Sequence, residues 1–178
     1  MTSDLRKTGF LLGATLLLAG CASPDSQLAS MAKERLSLAP DVAWYKHQRD
    51  IAVYDPARET AQLQTVVAAG QAAGLEPEMV RRFFAGEMEA SRRIQWEWIH
   101  AWRKNLAPPP DGPARDLATD LRPQIDDINR RQIEALRRGA RPLSIAQLSE
   151  LGARFLPKNS LSTAAQSAPS TPPVTAQR

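Results

Sequence analysis

An all-α fold, a helical bundle with one long central helix, is predicted by three observations. Apolar residues recur at helical spacing over long stretches. Pro, Asp and Gly punctuate the joints in the order that starts and stops helices, and no segment alternates as a half-buried strand does. The first helix is expected from about Gln27, with Leu28, Met31, Leu36 and Leu38 on its apolar side. Pro40 breaks it or opens a new first turn, after which Val42, Ala43 and Tyr45 continue toward His47. A second begins where Asp55 can cap and Pro56 suits the first helical position, and it stops at Gly74. The third opens at Glu76-Pro77 and carries Val80, Phe83, Phe84, Met88, Ser91, Ile94, Gln95, Trp98 and Trp102 along one face. The Pro-rich run 106–113 ends it. A fourth runs from about Ala114 through Leu117, Leu121, Ile125, Ile128, Ile133 and Leu136 to Gly139, interrupted in pattern at Pro123, and residues 144–155 make a short fifth. Shorter antiparallel partners around one long helix make an elongated bundle.

The two ends of the chain have a different character. Residues 1–20 place Arg6 and Lys7 before an apolar run from Gly9 to Leu18, the pattern of an export signal and too short for a comfortable permanent span. The ending "LAGC" resembles the lipobox of bacterial lipoproteins, which implies that Cys21 becomes the first residue and carries a diacylglycerol. Cys21 is also the only cysteine. It has no partner for an internal disulfide, and lipidation accounts for a lone thiol in an exported protein. The expected organisation is a lipoprotein signal at 1–20, a tether at 21–27, the helical domain at 28–157 and a disordered Ser/Thr/Pro/Ala-rich tail at 158–178. Acyl chains would hold the domain at a bacterial membrane on its periplasmic side. The formal charge of +4 falls to +3 without Asp4, Arg6 and Lys7 of the signal, and to +1 without Lys158 and Arg178 of the tail. No dense basic run remains in the domain, which argues against a nucleic-acid partner.

Most catalytic constellations are missing from the chain. His47 and His100 are the only histidines, there is no HExxH and no cysteine pair, so no metal site is expected. Neither a nucleophile elbow nor a phosphate-binding glycine loop occurs. What remains is a set of polar residues on apolar helix faces. Arg35 and Lys46 lie on the first helical stretch, Asp55, Arg58 and Glu59 at the start of the second, and Ser91 and Gln95 one turn apart on the third. Each alone suits a surface charge with a buried stem or a structural ion pair.

Together they resemble the all-helical chorismate mutases, and above all the exported, single-domain class. The resemblance rests on Arg35, Lys46 eleven residues on, Asp55 nine further, Arg58 and Glu59 behind it, and the Ser91/Gln95 pair preceded by "MEA". It implies a cofactor-free isomerase that rearranges chorismate to prephenate, working as a homodimer with a pocket inside each bundle. Arg35 would bind a substrate carboxylate, Lys46 a carboxylate and the ether oxygen, and Gln95 the same oxygen. Arg58 would help fix the carboxylate region. Asp55, through its backbone, and Glu59 would receive the ring hydroxyl, and Ser91 would line the pocket. For the second carboxylate the fourth helix offers Arg130 and Arg131, of which Arg131 is chosen. The chemistry suits these residue types, because a unimolecular pericyclic step needs no nucleophile or proton transfer. It needs a flexible dianion held in a compact conformer and donors for charge growing on the ether oxygen. The alternative of another class is a lipoprotein that captures a small dicarboxylate without rearranging it.

Overall fold

A computed structural model describes residues 23–158, and every regular element among them is helical. Cys21, the signal stretch and all of the tail beyond Lys158 lie outside the described residues. Helix α1 (Pro24–Ser37) begins inside the stretch expected as tether, because the Ser23 hydroxyl accepts the Ser26 N–H at 3.2 Å and Pro24 fits the first turn. Only Leu38 separates it from α2 (Ala39–Gln48), which carries Pro40 in its first turn. Asp55 caps α3 (Pro56–Ala72) by accepting the Arg58 N–H at 3.0 Å, and Gly74 turns the chain away at φ +80°. Helix α4 (Pro77–Arg103) runs for 27 residues.

The fourth predicted helix differs in its first part. Residues 104–116 form an irregular strap, and the helical register starts only at a π-helical turn (Leu117–Leu121) capped by Asp116. Helix α5 (Arg122–Arg137) follows directly, with Pro123 in its first turn. A short α6 (Ile145–Ala153) opens on a Ser144/Gln147 capping box.

The apolar stripe of α4 organises the bundle. Val80, Phe83 and Phe84 pack among Leu28 and Met31 of α1, Val66 and Val67 of α3, Ile128 and Leu136 of α5, and Leu148 of α6. Burying each large side chain here contributes about 1.5–3 kcal/mol. Helices α3 and α4 approach closely at Gly70, where an added Cβ would lie 2.7 Å from the Val80 side chain. Helix α2 is fixed to α4 by ring contacts on Trp102, with Trp44 edge-on at 5.2 Å and His47 tilted at 5.5 Å between centroids. The strap is fastened to α2 in turn: Gln48 accepts the Ala114 N–H at 2.9 Å, and Arg115 bridges Asp41 and Asp120, each at 2.8 Å. These contacts set where the π-helical turn and the start of α5 stand relative to α2.

Candidate active site

Between α1, α2, α3, α4 and the start of α5 lies one cavity of about 220 Å3. Of the eight expected pocket residues, Arg35, Lys46, Asp55, Arg58, Glu59, Ser91 and Gln95 line it. Helix α4 contributes Ser91 and Gln95 because they continue the stripe that holds Phe84 and Met88, and the stripe faces the cavity once it passes the apolar core. Gln95 is 6% exposed and donates from Nε2 to Ser91 Oγ at 3.1 Å. An amide nitrogen carries two hydrogens, so one remains for a ligand.

Lys46 reaches in from α2 and donates from Nζ to the Val53 carbonyl at 2.7 Å, which also ties down the loop before α3. Burial holds its ammonium below the usual lysine range, opposed by the nearby Glu59 and Asp55 carboxylates. On the outer side the Asp55 carboxylate is occupied in capping, and Arg58 is solvent-exposed. Glu59 pairs with Arg92 at 2.9 Å. Arg92 also pairs with Glu89, and its guanidinium lies 5.0 Å from the centre of the Tyr54 ring.

Arg35 is 6% exposed and held from behind. Its Nε donates to Asn129 Oδ1 at 3.0 Å and lies 3.4 Å from Glu87 Oε2. The two terminal nitrogens, the fork that grips carboxylates, have no hydrogen bond among the described residues.

Arg131 is the exception among the expected residues. Its guanidinium is spent on Glu34, at 2.7 and 3.1 Å, and on Asp127 at 2.8 Å, outside the cavity wall. The arginine that α5 turns to the cavity is Arg122, whose Nε is buried with no hydrogen-bond partner among the described residues. The resemblance pointed farther along the fourth helix, to Arg130 or Arg131, and so passed over Arg122 in the first turn of α5. Glu87, Asn129 and Gln132 were missed as well, although they carry a signal. Glu87 sits four residues after Phe83 and four before Ser91, and Asn129 and Gln132 flank Ile128 and Ile133, so all three belong to apolar faces.

The cavity wall carries five cationic side chains (Arg35, Lys46, Arg58, Arg92, Arg122) against three carboxylates (Asp55, Glu59, Asp126), an excess of two positive charges. That balance suits a compact dianion. Buried donors on the inner wall suit the stabilisation of charge that grows on such a ligand.

Comparison with known proteins agrees in sequence and in fold. The chorismate mutase type II family model matches residues 20–96, which takes in Arg35 to Gln95 and stops short of Arg122. A monofunctional chorismate mutase from Enterobacter agglomerans is 33% identical over 124 residues, covering 67% of this chain and 66% of that protein. A secreted chorismate mutase from Mycobacterium tuberculosis is 29% identical over 125 residues, covering 70% of this chain and 62% of its own length. The chain thus spans just under two thirds of these two relatives. A crystal structure of chorismate mutase from Burkholderia thailandensis superposes with a TM-score of 0.63 at 33% identity, over 80% of this chain and 89% of the other.

Proposed function

From the premise that the chain belongs to the chorismate mutase type II family, we propose that it rearranges chorismate to prephenate in the cavity between α1, α2, α3, α4 and α5. The observation that carries the reading is a pocket with two excess positive charges whose inner wall holds both Lys46 and Gln95. Chorismate brings two carboxylates and an ether bridge. Arg35 and Arg122 take the carboxylates as planar forks, and Arg58 adds charge at the mouth. Held this way the dianion stays in the folded conformer in which its new C–C bond can form, which removes much of the entropic part of the barrier. As the ether C–O bond breaks, negative charge grows on that oxygen. The Lys46 ammonium and the free N–H of Gln95 are donors in place before the step, so little reorganisation accompanies it. Ser91 accepts the other Gln95 hydrogen and so fixes the amide, while Glu59 and the Asp55 backbone receive the ring hydroxyl.

Export belongs to the same proposal. The relatives named secreted chorismate mutases, together with the "LAGC" ending and the lone Cys21, support a periplasmic enzyme anchored through a lipidated Cys21. The homodimer implied by the resemblance completes it. Loss of chorismate absorbance with formation of prephenate, followed with the purified chain, tests the activity; mass spectrometry of the N-terminal peptide tests the lipid. A folded chain that binds chorismate and leaves it unchanged supports the alternative, a dicarboxylate-binding protein, and overturns the enzyme.

A further inference from the structure

Glu87 is fully buried in the middle of α4, beside Phe83 and Phe84, on a stripe that is otherwise apolar. A carboxyl in such a place is costly unless it is partnered, and a leucine there would serve the core better. Its partners come from two other helices. Oε1 accepts from Gln132 Nε2 of α5 at 2.6 Å, and Oε2 lies 3.4 Å from Arg35 Nε of α1, which Asn129 of α5 also engages. Both contacts to Arg35, from Glu87 and from Asn129, fall on its Nε edge. A guanidinium is rigid and planar, so fixing that edge and its plane fixes the direction of the fork opposite.

We propose that Glu87 is a positioning residue: together with Asn129 it clamps the Nε edge of Arg35, so that the Nη fork stands ready for a ligand carboxylate. The inference rests on the reading above that Arg35 binds a substrate carboxylate. Burial pushes the Glu87 carboxyl above its usual range, against the opposing pull of Arg35 and Gln132. The side chain presents an acceptor oxygen to Arg35 Nε and another to Gln132. A glutamine can keep both contacts, accepting from Arg35 and donating to Gln132, whereas a leucine fills the space and accepts nothing.

The test compares Glu87→Gln and Glu87→Leu, each with Arg35 intact and with Arg35→Ala. Carboxylate binding contributes equally to ground and transition states, so the clamp acts on KM. Glu87→Leu is expected to raise KM about tenfold with kcat within about threefold, and Glu87→Gln to stay within about twofold on both. In the Arg35→Ala background the leucine change is expected to alter kcat/KM by less than about twofold, because there is no fork left to aim. Equal losses with and without Arg35, or a glutamine as damaging as the leucine, overturn the proposal. If the wild type binds chorismate without converting it, the activity reading fails by itself. The clamp is then judged from chorismate affinity by calorimetry on the same four variants, with the same expected about tenfold loss for leucine.

Discussion

Arg35 on the inner wall and Arg92 on the rim both line the cavity, but they are held in different ways. Arg35 is almost wholly buried and is fixed by Glu87 of α4 and Asn129 of α5, so that three helices determine one guanidinium. Arg92 is 28% exposed, and its partners Glu59 and Glu89 are 25% and 63% exposed. Charges on the inner wall act at low dielectric with their geometry already set, whereas those on the rim are screened by water and salt. On the proposed function, recognition of the dianion is built into the core packing, and the rim adds charge that is more open to water.

The contrast is broken or sharpened by a graded set of substitutions. The largest effect is expected at Lys46, which is assigned both a carboxylate and the ether oxygen. Lys46→Ala should lower kcat/KM by about 10^3, in kcat as well as KM, as the loss of a preorganised donor does. The same lysine sets the alkaline limit. Because burial holds it below the usual lysine range, kcat/KM should fall with rising pH through a pKa below about 10.4, as the ammonium is lost; a profile level to about pH 11 would remove Lys46 from the site. Arg122→Ala comes next, with kcat/KM lower by about 10- to 100-fold, the worth of a charged hydrogen-bond pair. Arg92→Ala should cost less than about tenfold, carried by KM and shrinking with added salt. Smallest is Arg131→Ala, expected within about twofold in kcat/KM and within about 1 kcal/mol in stability, since its ion pairs lie at the surface. An Arg131 variant as impaired as the Arg122 variant would reverse the assignment of the second arginine.

The order of those effects also marks what the sequence could convey. Arg35, Lys46, Asp55, Arg58, Glu59, Ser91 and Gln95 were legible because all stand on regular α-helices or at a helix cap. They stand on four different helices, where spacing relates only Asp55, Arg58 and Glu59 to one another and Ser91 to Gln95; the family resemblance is what joined these groups to Arg35 and Lys46. The resemblance was looser over the fourth helix, whose expected first part is an irregular strap to Asp116 and a π-helical turn (Leu117–Leu121) before α5 begins. Arg122 and Arg131 stand nine residues apart on α5, about half a turn different in direction, so one faces the cavity and the other the surface. The start of α1 was misjudged for a different reason. A Ser-Pro pair inside an expected tether reads as linker, yet it is also a helix cap. Glu87 lay in plain view on the α4 stripe, but an acidic residue inside "GEMEA" looks like solvent-facing charge until its neighbours on α1 and α5 are known.

The central claim is that fixed donors on the buried wall stabilise charge on the breaking ether bond. It is tested most directly by the pH dependence of kcat/KM for the wild type and Gln95→Glu, measured side by side at about pH 5 and 8. An amide donates at every pH, whereas a glutamic acid donates only while protonated. The wild type should change little across that interval, and Gln95→Glu should keep activity at pH 5 and lose most of it at pH 8. A Gln95→Glu enzyme as active at pH 8 as at pH 5 would contradict the claim.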